Sequence, residues 1–83
     1  MIDNPIAVYN TEEKKLIGVY RTMSLISKVY FPLQPKQGMC IRIKYAVSNK
    51  TKIKPDNRDY FIALRYASKE HIKALGNKDS VEF

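Results

Sequence analysis

A chain of 83 residues, with 45% apolar side chains and a formal charge of +7, suits one small globular domain. No apolar run approaches the roughly 20 residues of a membrane-spanning helix, and with Cys40 and His71 as the sole cysteine and histidine there is neither a zinc ligand set nor an internal disulfide. So short a chain buries a modest core, which argues against an elaborate enclosed active site.

The N-terminus, "MIDNPIAVYN", lacks the basic start and long apolar stretch of a signal peptide, so a reducing cytoplasm is the expected setting. "PIAVYNTEEKKLIGVYRT" then reads as a β-hairpin. Ile6 and Val8 alternate on one side, as do Leu16, Gly18 and Tyr20 against Ile17, Val19 and Arg21, with "NTEEKK" as the turn. The apolar run "LIGVY" suggests a strand covered on both faces, and Gly18 marks a bulge or a close backbone approach. Thr22 has the chemistry of a helix N-cap. Leu25, Ile26, Val29 and Tyr30 follow at helical spacing until Pro32 stops the helix, and "PLQPKQG" reads as a connecting loop.

The next stretch, "CIRIKYAVSNKTKIK", has two periods. As a helix, Met39, Cys40, Ile43, Ala46 and Val47 share one side, with Arg42, Tyr45 and Asn49 on a neighbouring stripe and Ile41 stranded among the polar residues. As a strand, Ile41, Ile43, Tyr45 and Val47 share a face against Arg42 and Lys44, and β-branching favours that reading. Local pattern leaves both open. Pro55, Asp56 and Asn57 form a turn. "RDYFIALRYAS" is the clearest strand, with Tyr60, Ile62, Leu64 and Tyr66 on one face. Ser68 caps a short helix ending at Gly76, and residues 77–83 read as a frayed tail after a single domain spanning 1–76.

In this order the residues resemble the nuclease-associated modular domains (NUMOD-type) found beside homing endonucleases. "VYNTEEKKLIGVY", residues 8–20, is similar to their hairpin, and Thr22 takes the position that opens their first helix. "IKYAVSNK", residues 43–50, looks like the end of their second helix, "TKIK" like their basic loop, and "DYFIALRY" like their closing strand. The likeness covers about residues 5–67. Ile26 and Ser27 stand where that family tends to have alanines, and "FPLQPKQG" is a long linker for it. The expected fold is α+β: a small antiparallel sheet, made of the N-terminal hairpin and a third strand near residues 58–66, packed with a helix-turn-helix-like pair and a short C-terminal helix. The C-terminal helix and tail lie outside the likeness, and the resemblance implies the helix-turn-helix backed by a small sheet. It also implies DNA binding, with residues 39–50 as a recognition helix in or against the major groove.

Charge placement points the same way without the resemblance. None of the eight acids lies between Lys14 and Pro55, whereas ten basic residues do; the remaining five basic residues meet all eight acids, leaving −3 outside the window. A segregated positive block is the footprint expected for a polyanion, nucleic acid above all, although a lysine-rich solvated surface gives the same count. Lys50, Lys52 and Lys54 make a comb able to follow a phosphate backbone, joined by Lys36 and Lys44. Together they would neutralise roughly four to six phosphates, for a slope of log K against log[salt] of roughly −4 to −5. Arg42 has the fork for guanine and Asn49 the amide for adenine, while Tyr45 contacts a base or sugar or else packs on the sheet. Asn49 also suits a helix end, with "SNK" as a turn. Tyr9, Tyr20, Tyr60, Phe61 and Tyr66 read as core or sheet-face aromatics, Cys40 as a small core residue and His71 as an exposed helical one.

No catalytic residue, metal or cofactor is expected. "GVY" at 18–20 is similar to the first half of a GIY-YIG nuclease motif, but no "YIG" follows and the chain is too short for the rest of that site. The expected partner is therefore nucleic acid, duplex DNA first, as in a bacterial, phage or mobile-element DNA-binding protein. The alternatives are a protein-interaction module, such as a phage-type adaptor or inhibitor of a host complex, and a single-stranded nucleic-acid binder using the sheet tyrosines.

Overall fold

The computed structural model describes residues 4–83, so the first three residues of the N-terminal stretch lie outside the described residues. Strands β1 (Ile6–Asn10) and β2 (Lys15–Tyr20) form the expected hairpin. Val8 pairs with Gly18 and Tyr9 with Leu16, so Ile17 is the extra residue of a bulge beside Gly18. Asn10 shapes the turn: its Oδ1 accepts from the N–H groups of Glu12 and Glu13 at 2.9 and 3.2 Å.

Thr22 caps helix α1 (Met23–Tyr30), its Oγ1 accepting from the Leu25 N–H at 3.3 Å. The segment with two periods is a helix, α2 (Lys36–Asn49). Burial decides it: the helix puts Met39, Ile43, Ala46 and Val47 into the core, whereas the strand reading would have buried Ile41 and Tyr45, which lie 72% and 63% exposed. That burial outweighs the β-preference of its branched side chains. Lys36, Gln37 and Gly38, expected in the loop, form its first turn. Pro35 stands in extended geometry at the N-cap, and its carbonyl receives the Met39 N–H at 3.0 Å.

Strand β3 (Lys52–Ile53) and strand β4 (Ile62–Tyr66) follow, then α3 (Lys69–Leu75) and β5 (Ser80–Glu82). All five strands form one antiparallel sheet in the order β3-β4-β1-β2-β5. The fold is α+β as expected, with a larger sheet than the third strand alone would have given. Residues 77–83 are not a free tail: Ser80, Val81 and Glu82 pair with Tyr20, Val19 and Gly18 and cover the open edge of β2.

Helices α1 and α2 cover one face of the sheet, burying Ile6, Val8, Tyr20, Ile62 and Leu64. Helix α3 packs on the opposite side against β2 and β5, where Ala7, Val19 and Leu75 are buried. Strand β2 is thus covered on both faces, as its apolar run requires. Ser68 and His71 close a reciprocal cap at the start of α3, and the His71 ring, half-buried, stands edge-on to Tyr9 at 6.2 Å. Cys40 is likewise half-buried rather than fully enclosed.

The linker between α1 and α2 is fixed from outside. Asp56 accepts from the Leu33 N–H through Oδ2 at 3.2 Å and from Gln34 Nε2 through Oδ1 at 3.4 Å. Asn57 Nδ2 donates to the Val29 carbonyl at 2.9 Å. The turn after β3 therefore clamps the end of α1 and holds α2 at a set angle.

Candidate nucleic-acid interface

Helix α2 has two unlike sides. Its buried side is the core stripe; its solvent side carries Arg42, Lys44, Tyr45, Ser48 and Asn49, all exposed, and the whole helix contains no acid. Asp56, the first acid after it, is held against the linker. No acid within the helix itself offsets the cations of this face.

Several side chains are partly committed. Arg42 folds back so that Nη1 lies 3.5 Å from Met39 Sδ, a weak contact that leaves the remaining donors of the fork free. Asn49, exposed, has its Nδ2 donating to the Tyr45 carbonyl at 3.0 Å, which closes the last turn of the helix. Reading adenine with both amide atoms would require breaking that bond. Lys50 follows as the C-cap in left-handed geometry, φ 55°, and its N–H and that of Thr51 both reach the Ala46 carbonyl. Lys36, also exposed, opens the helix and lies near Lys28, both lining a depression between α1 and the linker.

The lysine comb is not one surface. Lys52 pairs with Ala63 and Ile53 with Ile62, and Ile62 lies in the core beneath α2. Lys52 therefore points to the opposite face of the sheet, where its Nζ sits 5.3 Å from the centre of the Phe61 ring. Lys54, exposed, follows just beyond this strand. The structure thus gathers Arg42, Lys44, Tyr45 and Asn49 on α2 with Lys50 at its end, and turns Lys52 away.

Elsewhere in the basic window, Arg21 belongs to the fold: its Nη2 donates to the Gly76 and Lys78 carbonyls, both at 2.8 Å, tying β2 to the loop before β5. Two residues of the candidate surface escape a reading of charge alone. Gly38, in a proline-rich stretch that reads as a loop, is an exposed helical position where an added Cβ would meet nothing within 4 Å. Ile41 was visible on the helical wheel as the apolar residue on the polar side, and that misfit was its signal. Beside it, Ile41, Arg42, Tyr45, Thr51 and Ile53 line an apolar valley of about 440 Å³ between α2 and the sheet edge.

Among the described residues there is no group of three or more potential metal ligands, and no helix is long and apolar enough to cross a membrane. No protein-family model matches the chain, and no curated protein or solved structure matches it significantly.

Proposed function

We propose that this protein binds duplex DNA with the solvent side of α2 against the major groove, in the manner of the nuclease-associated modules it resembles. One observation carries the reading: a helix of 14 residues, held at both ends and free of acids, offers Arg42, Lys44, Tyr45 and Asn49 together to solvent. Lys36 and Lys50 stand at its two ends, suited to the phosphates that flank a groove. Affinity comes mainly from phosphate contacts and discrimination from α2.

With Lys52 turned away, Lys36, Lys44, Lys50 and Lys54 remain to meet phosphate. The expected slope of log K against log[salt] is then roughly −3 to −4. Anisotropy titrations with random duplex, single-stranded and RNA probes across salt test the proposal. Steep salt dependence with duplex preference is the expected result, and no binding to duplex at low salt overturns it. A second reading, a protein partner, draws on the apolar valley beside Ile41 and Tyr45; it is favoured if every nucleic acid fails. The single-strand reading would need the sheet aromatics, and preference for single strands with tyrosine quenching would support it.

A further inference from the structure

Phosphate binding leaves the middle of the exposed side of α2 unexplained. At about 100° per residue, the centre of the buried arc is Ile43, and the point opposite it falls between Ile41 and Tyr45. These two stand one turn apart, 72% and 63% exposed, and form a continuous apolar ridge. Arg42 lies to one side of the ridge and Lys44 to the other. Single exposed apolar residues are ordinary on a surface, but here two stack on the crest and the valley at their foot is apolar as well.

Resting on the duplex-DNA reading, we propose that Ile41 and Tyr45 read thymine, covering its C5 methyl group in the major groove. Base edges there present hydrogen-bond donors and acceptors, and the thymine methyl is the apolar projection among them. A helix apolar at its crest and cationic on both flanks complements a groove whose floor carries methyl groups and whose walls are phosphate. A second copy of this chain is a poorer occupant, because it would set the same cations face to face. The preferred sites are therefore duplexes with thymines beneath the crest. Arg42 serves neighbouring guanine or phosphate.

The test compares the full chain on an alternating A·T duplex and on the same duplex with deoxyuridine in place of thymidine, which removes the methyl and leaves every hydrogen-bonding group. The thymidine duplex is expected to bind more tightly, by about fourfold for each methyl covered. Ile41→Ala narrows the gap, and Ile41→Ala with Tyr45→Ala abolishes it, while the salt slope and far-UV circular dichroism stay unchanged. Equal affinity for the two duplexes overturns this proposal and leaves duplex binding standing. So does a gap that survives in the double variant, since the methyl would then act through DNA shape. Failure to bind either duplex at low salt overturns both readings.

Discussion

The ring of Tyr20 lies directly over Gly18 on the same face of β2. A Cβ added at Gly18 would come within 2.7 Å of Tyr20 Cε1 and 2.9 Å of its hydroxyl oxygen. Tyr20 cannot swing aside freely, because its hydroxyl stands 2.9 Å from that of Tyr30 on α1 and 3.3 Å from Glu82 on β5. Gly18→Ala is therefore expected to destabilise the fold by roughly 1–3 kcal/mol, the usual effect of overpacking. Urea denaturation should show a lower midpoint with an unchanged slope. An unaltered midpoint would mean the ring has room to move.

The same hydroxyls give the fold a dependence on alkaline pH. The Tyr20 hydroxyl donates to Glu82 at 3.3 Å and shares a 2.9 Å hydrogen bond with the Tyr30 hydroxyl, in which either oxygen can carry the proton. Burial, then the bond with Tyr30, pushes Tyr20 above the ordinary 10.0; burial also raises Tyr30, outweighing the opposing effects of Tyr20 and Arg58. The unfolded chain thus loses these protons first. Stability is fully present below about pH 10 and falls above it, by up to about 1.4 kcal/mol per pH unit for each tyrosine kept protonated. Unfolding midpoints from pH 8 to 11, set against the variant with Tyr20→Phe and Tyr30→Phe, isolate the effect from lysine titration. Parallel curves for the two proteins would refute it.

What the sequence made legible was local chemistry. The hairpin, the bulge beside Gly18, the Thr22 and Ser68 caps and the stop at Pro32 each depend on residues close together in the chain. Residues 40–50 were ambiguous because Ile41, Ile43, Tyr45 and Val47 fit a strand as well as a helix, and only packing against β4 and α1 separates the two. Strand β5 is three residues whose pairing is supplied by the edge of β2, so no local pattern marks it. For the candidate site, the helix face was readable from spacing once the helix was granted. The direction of Lys52 was not, since it follows from its register with Ala63.

That register leads to a contrast between two lysines. Lys44 stands on the solvent side of α2, whereas Lys52 lies over Phe61 on the far face of the sheet. On the duplex reading, Lys44→Ala lowers affinity for all sequences and reduces the salt slope by about 0.9, and Lys52→Ala changes little. Arg42→Ala instead reduces discrimination between sites. Anisotropy titrations at several salt concentrations check all three, and equal losses from Lys44 and Lys52 would move the interface off α2.

Lys50 combines a charge with a strained backbone, and two substitutions separate them. Its φ of 55° is a conformation that costs an L-residue roughly 1–2 kcal/mol and glycine almost nothing. Lys50→Gly should accordingly raise stability by about 1 kcal/mol, while Lys50→Ala keeps the strain and leaves stability nearly unchanged. Both remove the cation, so both should weaken duplex binding alike. Thermal melts and binding titrations on the pair decide it: unequal affinities would show that the geometry of the helix end, rather than the charge, matters to DNA.

Gly38 offers the sharpest opposition between folding and binding. It lies in the first turn of α2, exposed, with open space where a Cβ would stand. Nothing in the packing requires glycine there, and a helical glycine costs about 1 kcal/mol relative to alanine. Gly38→Ala should therefore stabilise the protein by roughly 0.5–1 kcal/mol. Gly38 is also one turn before Arg42 on the solvent side, at the end of α2 that a recognition helix presents most closely to base edges. A methyl group there would hold the helix away from the groove, so the more stable variant should bind duplex DNA more weakly. Chemical denaturation and anisotropy on the same sample measure both quantities. Higher stability with undiminished affinity would place the first turn of α2 outside the interface and shift the contact toward Asn49 and Lys50.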